Sequence, residues 1–400
     1  MKKVLYMHVG TPKTGTSALQ QFFLQNMEIL KKYNIYYPRG IGGNVTEITL
    51  SNDSLEEKAA QIDRMFGENE NMLISCEAIW VIYHNNKQFF KALCDLGITV
   101  KVIVYLRKQE EYLESMIRQK TKEGFWFTKQ KDWANLNIEN EQDVKFVKRV
   151  MNEMHYLNGL NSMADVIGKE NVIVKVYEKE QMKDNNIFSD FLQILGIEMT
   201  AEFTKPKQAI NPSLDDSMLE IKRMMNEVAK GKLGEKELQK MSLASLLEVA
   251  SFKDNKVSNS LQFSRQQIDL IRNQYADENE EIAKTFLNRQ DGILFHYKDK
   301  ESVKDKNADI SDRELLEDTI RVMFNMLLNM QKRIGDLERG AETNCQQISA
   351  ENTLKAENAH LNQLLMDKQK EIEAMKGGVS WKITAPLRKV RRLIKRKIAK

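Results

Sequence analysis

Four short apolar runs in the first half of the chain limit the folds that it can adopt. They are rich in Val, Ile and Leu, are separated by segments of helical pattern, and cover residues 3–9, 71–76, 99–106 and 171–177. Near-continuous apolar strands that alternate with helices are typical of a parallel sheet covered on both faces. The sequence therefore predicts an α/β domain, in which ligands bind beyond the carboxyl ends of the strands.

The loop after the first of these runs has the composition of a phosphate-binding loop. It reads Val9-Gly-Thr-Pro-Lys-Thr-Gly-Thr-Ser17 and leads into a helical pattern. Glycines let the backbone turn tightly and approach a ligand, and the first N–H groups of a helix attract an anion. A nucleoside triphosphatase loop places its lysine directly after a glycine, whereas Lys13 lies inside the turn and Thr16 follows Gly15. This order weakens an interpretation as an ATP-binding loop.

The order Pro-Lys-Thr-Gly-Thr-Ser after a first strand resembles the 5′-phosphosulfate loop of sulfotransferases that use 3′-phosphoadenosine-5′-phosphosulfate (PAPS). The resemblance, which is to bacterial enzymes of the glycan type, implies a P-loop-type sheet and no metal. It implies that Lys13 stabilises the charge on the leaving nucleotide, the electrostatic contribution that such a transfer needs most. The loop residues that would bind the cosubstrate are Pro12, Lys13, Thr14, Gly15, Thr16 and Ser17.

A second motif follows the third apolar run. In the sulfotransferase family this strand ends in an arginine, and a serine eight residues later lies on the next helix; here the two positions are Arg107 and Ser115. The resemblance implies that they hold the 3′-phosphate of the donor. A guanidinium binds phosphate oxygens through a rigid fork, and a hydroxyl adds a directed donor.

Sulfuryl transfer also needs a base near the acceptor hydroxyl. Glu77 follows the second apolar run, where carbohydrate-acting sulfotransferases of similar layout carry a catalytic glutamate, and a partly desolvated carboxylate is a useful base. Acceptor binding or capping of a helix is the alternative role for Glu77. His8 is a second candidate, because small-molecule sulfotransferases use a histidine, although its place on the first strand favours a buried residue. No motif places His155 in the site.

Later segments resemble the same family less sharply, so that the resemblance covers roughly residues 1–298. Residues 172–178 resemble its last core strand, and residues 210–214 and 286–295 resemble its closing region. Side chains there that are candidates to reach the nucleotide are Lys205, Lys207 and Asn211.

Composition narrows the setting of the chain. The three cysteines, Cys76, Cys94 and Cys345, are too few and too far apart for a disulfide framework, which favours a reducing compartment. No apolar stretch is long enough to span a membrane, and the N-terminus lacks a signal-type segment, so we expect a cytoplasmic protein. The net charge of +4 comes from the end of the chain: residues 380–400 carry nine Lys or Arg and no acid, whereas the remainder carries 52 basic and 57 acidic residues.

A coiled coil is predicted beyond a polar linker at residues 299–313. Apolar residues repeat with alternating spacings of four and three, weaken at residues 340–352, where Asn344 and Glu351 occupy core positions, and resume after a three-residue shift that resembles a stammer. We expect homo-oligomers through residues 314–376, the alternative being a solvated helix on its own domain. The seam residues are Leu316, Ile320, Met323, Leu327, Met330, Ile334, Leu337, Leu354, Asn358, Leu361, Leu365, Lys368, Ile372 and Met375.

The C-terminal tail, residues 377–400, combines apolar and basic residues at helical spacing. Such a helix is suited to an anionic membrane surface, so we expect a peripheral protein on the inner face of the cell membrane; binding of an acidic protein is the alternative. Residues 380–388, Ser-Trp-Lys-Ile-Thr-Ala-Pro-Leu-Arg, also resemble a segment of bacterial surface-glycan transferases. Nucleic acid is not expected, because the basic residues lack interleaved aromatics.

Together these features predict a PAPS-dependent sulfotransferase domain at residues 1–298 that modifies a hydroxyl or amine of a capsular or cell-envelope glycan. An ATP-dependent P-loop kinase and a non-catalytic nucleotide-binding scaffold of a glycan-assembly complex are the alternatives. The loops expected to shape the acceptor pocket contain no motif that identifies the acceptor.

Overall fold

The structure is a computed structural model that describes residues 3–39, 45–206, 214–232, 234–251, 262–297 and 312–377. The predicted basic tail, nearly all of the predicted linker, Lys207 and Asn211 lie outside these residues. The chain divides into two compact units, Met1–Met326 and Leu327–Lys400. Within the described part of the chain, no helix has the length and apolarity that crossing a membrane requires.

The first unit is built on a parallel sheet of four strands in the order β2-β1-β3-β4. This confirms the predicted α/β class, and each observed strand falls within its predicted apolar run. The run at residues 99–106 forms the longest of the four strands. The strands are β1 (Val4–His8), β2 (Asn71–Ser75), β3 (Thr99–Leu106) and β4 (Val172–Val176).

Helices occupy most of the chain between and after the strands. Before β3 they are α1 (Thr16–Gln25), α2 (Met27–Lys32), α3 (Thr46–Leu50), α4 (Leu55–Met65), α5 (Glu77–Tyr83) and α6 (Lys87–Asp95). Between β3 and β4 they are α7 (Gln109–Lys122), α8 (Gln130–Ala134), α9 (Glu141–Glu153) and α10 (Tyr156–Ile167). After β4 they are α11 (Ile187–Ile194), α12 (Asp216–Ala229), α13 (Glu235–Ser251), α14 (Arg265–Gln274), α15 (Ala276–Leu287) and α16 (Asp312–Gly377). Short 3-10 turns lie at Lys169–Asn171, Lys179–Gln181 and Lys183–Asn185.

Both faces of the sheet are covered, because successive strand residues point to opposite faces. Val102 and Val104 of β3 enter the larger apolar cluster, which includes residues of α4, α5, α6 and α10. Ile103 and Tyr105 enter a second cluster with residues of α1 and α11. The central strands are therefore buried on both sides, which explains their nearly continuous apolar sequences.

A third apolar cluster joins the start of α16 to helices α12 and α13. Val322 is fully buried there and packs with Met218, Ile221 and Leu246. Asp318, also buried, accepts a hydrogen bond of 2.7 Å from the Ser217 hydroxyl. The first turns of α16 thus belong to the core of the first unit.

The second unit, considered by itself, contains the rest of α16, which continues without interruption to Gly377. From residue 351 to residue 376 every residue is exposed. A single helix that is exposed on all sides gains little from tertiary packing, which normally supplies most of the stability of a helix in a protein.

Candidate functional site

The carboxyl ends of all four strands lie at one edge of the sheet, and they bring the predicted site residues together. The loop that begins at Gly10 follows β1, Glu77 opens α5 after β2, Arg107 follows β3, and Tyr177 follows β4. Backbone hydrogen bonds continue the pairing past the strand ends: the Cys76 N–H donates to His8, and the Tyr177 N–H donates to Leu106. Parallel strands therefore place four separate segments around one region.

The loop itself has an unusual backbone. Gly10, Lys13 and Gly15 have φ angles of 50°, 69° and 77°, in the left-handed region that side chains with a Cβ atom rarely adopt. The Thr11 hydroxyl donates to the Tyr105 carbonyl at 2.9 Å, and the Thr14 hydroxyl donates to the Thr11 carbonyl at 2.6 Å. These bonds hold the loop in a turn that only glycine adopts without strain at Gly10 and Gly15.

Both glycines also lie close to other side chains. A Cβ atom on Gly10 would come within 2.7 Å of the Thr16 hydroxyl, and one on Gly15 would lie 3.0 Å from Ile187 and 3.2 Å from Tyr177. The loop is therefore packed tightly against the start of its own helix and against the segment that follows β4.

The start of α1 has the features of an anion site. Thr16 is buried, and among the described residues its hydroxyl oxygen has no hydrogen-bond partner. Ser17 is exposed in the same turn, and Pro12 and Thr14 are buried in the loop. The turn carries no acidic residue to compete for the positive end of the helix. Burying a hydroxyl without a hydrogen-bond partner costs roughly 1–3 kcal/mol of folding free energy. A ligand oxygen at this place would accept the missing hydrogen bond.

Lys13 extends from the loop toward α7. Its ammonium group donates to the Gln119 side chain at 2.9 Å, and the amide of Gln119 in turn donates to Glu123 at 2.9 Å. Burial lowers the pKa of Lys13, whereas the nearby carboxylates of Glu77 and Glu123 oppose this decrease. Lys13 is thus a partly buried cation whose charge interacts with the carboxylate of Glu77.

Arg107 joins the loop to α7. Its guanidinium donates to the Lys13 carbonyl at 3.0 Å and to the Glu111 carboxylate at 3.2 Å. The Tyr156 hydroxyl donates to the Arg107 carbonyl at 3.0 Å, and the guanidinium carbon lies 5.9 Å from the centre of the Tyr177 ring. The guanidinium is therefore held at the site and is not an isolated surface group.

Ser115 lies on the face of α7 that borders this region. Residues four apart lie above one another on a helix. Ser115 is one turn beyond Glu111, which binds Arg107, and one turn before Gln119, which binds Lys13. It is partly exposed. The structure thus brings Lys13, Arg107 and Ser115 to one side of α7.

Glu77 is the acidic group of the site. Burial raises the pKa of its carboxyl group; the neighbouring Thr16 hydroxyl and the Lys13 ammonium oppose this increase. A carboxylate with a raised pKa binds a proton more readily than an ordinary one. Its position at the start of α5, next to the loop, is the one that the sequence predicts for a base.

The two histidines have different surroundings. His8 is fully buried in β1, and its Nδ1 atom lies 2.8 Å from the Ser75 hydroxyl. Burial lowers the pKa of His8 to about 3, so the ring is neutral at physiological pH. The Nδ1 atom of His155 instead lies 2.5 Å from the carboxylate of Glu278 on α15. Of the later candidates, Lys205 is exposed.

Several residues of the site were not predicted from the sequence. They are Glu111, Gln119 and Lys122 on α7, Glu123 directly after this helix, and Tyr177 after β4. Burial and the neighbouring cations of Lys13 and Arg118 lower the pKa of Lys122 to about 8. The recurrence of polar residues at 111, 115 and 119 is a helical-face signal that could have identified Gln119.

Glu178 contacts the chain just beyond residues 286–295, the second segment that resembles the closing region of the family. Its buried carboxylate accepts hydrogen bonds from the backbone N–H of His296 and pairs with Lys108 at 2.9 Å. Arg289 donates to Gln181 at 2.6 Å, and Gln181 also binds Glu178. These contacts attach the last part of the domain to the segments that follow β3 and β4.

Among the described residues, no group of three or more His, Cys, Asp or Glu side chains is arranged to hold a metal ion. No family model matches the chain.

Comparisons with known proteins give a few distant similarities. The chain is 22% identical over 264 residues to an uncharacterized protein of Archaeoglobus fulgidus, and the match spans 66% of this chain and 66% of that protein. Among solved structures, the chain is similar to a sulfotransferase from Alicyclobacillus acidocaldarius, with 15% identity, a TM-score of 0.35, and coverage of 60% of this chain and 95% of the other. It is also similar to a sulfotransferase domain from the curacin biosynthetic pathway, with 11% identity, a TM-score of 0.33, and coverage of 68% and 97%.

Proposed function

We propose that this chain transfers a sulfuryl group from PAPS to a hydroxyl or amine of a glycan. One observation supports the proposal most directly: three functional groups lie together at the edge of the sheet that carries the loop after β1. They are Lys13, whose backbone is left-handed, the guanidinium of Arg107, and the carboxyl group of Glu77, whose pKa is raised. This set supplies an anion cradle, a cation for a second anionic group and a base, which are the three requirements of the transfer.

The transfer itself would exchange one bond for another. The acceptor oxygen forms a bond to sulfur, the bond between sulfur and the bridging phosphate oxygen breaks, and adenosine 3′,5′-bisphosphate leaves. Glu77 would take the proton that the acceptor loses and pass it to solvent. Lys13 would stabilise the charge that develops on the bridging oxygen, and its partial burial strengthens that interaction because less water screens it.

Several groups of the site are available to bind the two phosphates of PAPS. The unpartnered Thr16 hydroxyl, the exposed Ser17 and the N–H groups at the start of α1 would bind its 5′-phosphate. Arg107 and Ser115 would bind its 3′-phosphate, for which Arg107 would exchange part of its contact with Glu111. The glycan acceptor and the setting in capsule or envelope synthesis rest on the family resemblance and on the sequence of the tail.

Binding and transfer experiments test this proposal together. We expect the protein to bind adenosine 3′,5′-bisphosphate more tightly than ATP, with no requirement for Mg²⁺, and to transfer labelled sulfate from PAPS to glycans extracted from the cell envelope. Lys13→Ala should lower the transfer rate by about 100-fold or more, since it removes the leaving-group cation. Lys91→Ala, which removes an exposed lysine paired with Asp95, is the control and should leave the rate unchanged.

Two results would decide for the alternatives. Tighter binding of ATP that depends on Mg²⁺ would favour a kinase. Nucleotide binding without transfer to any envelope glycan, together with an unchanged cell-surface sulfate content in a deletion strain, would favour a scaffold.

A further inference from the structure

Helix α16 presents a long apolar stripe to solvent. The stripe consists of the coiled-coil seam residues, each between 44% and 67% exposed, which is unusual for large apolar side chains in a regular row. The exposed members are Leu316, Ile320, Met323, Leu327, Met330, Ile334, Leu337, Leu354, Leu361, Leu365, Ile372 and Met375.

The start of α16 shows that the seam does not serve its own domain. Leu315, Val322 and Met326 are the residues of this segment that pack into the cluster with α12 and α13. The seam residues Leu316, Ile320 and Met323 belong to a different face of the helix and remain 60%, 58% and 55% exposed. Within the first unit the helix therefore uses one face for attachment and leaves the seam uncovered.

We infer that the occupant of this seam is a second copy of the chain, aligned parallel and in register in a two-stranded coiled coil. With Leu316 at a d position, the a positions of the first stretch are Ile320, Leu327 and Ile334. The d positions are Leu316, Met323, Met330 and Leu337. Two of these three a positions are Ile and the d positions are Leu or Met, and β-branched residues at a with Leu at d favour two parallel strands.

The charged residues that flank the seam agree with this orientation. In a parallel dimer, a g residue faces the e residue five positions later on the partner chain. Arg333 and Glu338 form one such pair of opposite charges, and Glu371 and Lys376 form another. All four are exposed and lie beside the seam. The two pairs repeat by symmetry, so the dimer gains four attractive contacts at its rim.

One polar residue fixes the register. Asn358 occupies an a position, where a single asparagine specifies two strands and their alignment at a cost in stability, because each amide finds a partner only in its counterpart. Lys368, at a d position, is already paired with Glu371 of its own chain at 2.8 Å, so its charge is compensated beside the core.

The break in the pattern points to the same alignment. The seam is interrupted at residues 340–352 and resumes with a three-residue shift, which locally overwinds a coiled coil. In a parallel dimer in register, both chains overwind at the same level. A shifted parallel register would set the overwound segment of one chain against a regular heptad of the other, so the break restricts the register, whereas Asn358 and the charged pairs distinguish the orientation.

Light scattering of the full chain with matched variants tests the partner. We expect a mass of twice the chain mass of 46.5 kDa at micromolar concentration. Leu327→Lys combined with Leu365→Lys places two charges at a positions and should raise the dimer dissociation constant by more than 100-fold. Leu328→Lys combined with Met366→Lys introduces the same charges at the neighbouring, similarly exposed b positions and should leave the dimer intact. A monomeric wild-type protein, or equal effects of the two variants, would overturn the inference.

Cysteine cross-linking tests orientation and register. In a Cys345→Ser background, Leu361→Cys places a thiol at a d position, where the two chains approach each other only if they are parallel and in register. Mild oxidation should convert most of this variant to a covalent dimer and leave the Cys345→Ser protein uncross-linked. Failure of Leu361→Cys to cross-link in a protein that remains dimeric would rule out the alignment.

Asn358→Leu provides a further check. It should lower the dissociation constant at least tenfold and allow heavier oligomers, because the polar pair that selects two strands is lost. An unchanged mass and an unchanged dissociation constant would show that Asn358 lies outside the interface.

Discussion

At the scale of single residues, the loop after β1 contains groups whose arrangement disfavours folding and suits a bound anion. Lys13 has a left-handed backbone, which costs on the order of 1 kcal/mol for a residue with a side chain. Thr16 keeps a buried hydroxyl without a hydrogen-bond partner among the described residues. Neither feature stabilises the fold by itself, and an anion at the start of α1, as proposed above, would accept the hydrogen bond that the Thr16 hydroxyl can donate.

The buried hydroxyl can be tested by removing it. Thr16→Val should lower the affinity for adenosine 3′,5′-bisphosphate about 10-fold, since one hydrogen bond to a charged oxygen is lost, and should leave the melting temperature unchanged or raise it. Isothermal calorimetry and thermal unfolding measure the two effects. Thr49→Val is the matched control: its buried hydroxyl donates to the Val45 carbonyl at 2.8 Å, so stability should fall while nucleotide affinity stays the same. A Thr16→Val protein that is less stable and binds normally would assign Thr16 a purely structural role.

The raised pKa of Glu77 predicts a pH dependence. As a base, Glu77 acts when deprotonated, so kcat/KM should rise with pH through its raised pKa and then level off. Glu77→Gln should lower kcat by about 100-fold or more and abolish this rise. If His8 were the base, the profile would stay flat from about pH 4 upward, because the pKa of His8 is lowered to about 3. Initial rates across the pH range decide between them.

The raised pKa of Glu77 also makes the free energy of unfolding depend on pH. The unfolded chain releases the Glu77 proton at a lower pH than the folded chain does, so the contribution of Glu77 to stability is complete below the ordinary carboxyl pKa. It is lost as the pH rises through the raised value. Glu77→Gln should therefore be more stable than wild type at pH 7 and should lose that advantage near pH 4. Urea unfolding at both pH values measures the difference, and an equal difference at the two values would contradict the shift.

At the scale of elements, helix α7 organises the site. Glu111, Ser115 and Gln119 lie along one face, and two of them bind Arg107 and Lys13. The other faces are anchored in the domain: Glu110 pairs with Arg272 of α14 at 2.7 Å, and Gln109 binds Asn279 of α15 at 2.8 Å. A helix fixed in this way holds its polar face steady against the loop, which supports a preorganised site.

Tight packing of the loop on the segment after β4 gives a prediction at this scale. Gly15→Ala would set a Cβ atom 3.2 Å from Tyr177 in addition to straining a backbone with φ of 77°. Gly97→Ala carries a similar strain at φ of 76° but meets no atom within 4 Å. We expect both variants to lose roughly 1–2 kcal/mol of stability, and only Gly15→Ala to lose nucleotide affinity, by about 10-fold. Equal affinities for the two variants would exclude a direct role of the loop conformation.

The sequence predicted the elements better than their contacts. The four strands follow from apolar runs that are buried on both faces, and Lys13, Glu77, Arg107 and Ser115 each follow a strand end or lie on the next helix. The strand order β2-β1-β3-β4 and the contact of Lys13 with Gln119 join segments far apart in the chain. No local pattern encodes such a contact, because it depends on how the helices pack after the sheet has formed.

At the scale of the whole molecule, charge is distributed unevenly along the chain. The nine Lys and Arg residues of residues 380–400 face no acidic residue in that stretch, whereas the rest of the chain is net acidic. We propose that the tail, which lies outside the described residues, holds the protein at the inner membrane surface through anionic headgroups.

Deletion of residues 378–400 tests this proposal. Full-length protein should sediment with vesicles that contain anionic lipid, should bind less at high salt, and should not sediment with neutral vesicles. The deleted protein should remain in the supernatant and keep its nucleotide affinity. Equal sedimentation of the two proteins with anionic vesicles would assign membrane binding elsewhere or exclude it.

The left-handed backbone of Lys13 also predicts which residue a selection for folding and a selection for activity would each favour at this position. A chain retained only for its fold, or as a scaffold, would gain stability if this position drifted to glycine, which adopts the same backbone without strain. A lysine at this position carries a backbone strain that glycine would avoid, and the proposed contact of its ammonium group with the leaving nucleotide would offset that strain. In a library screened first for folding and then for sulfate transfer, position 13 should accordingly favour glycine in the first selection and lysine in the second.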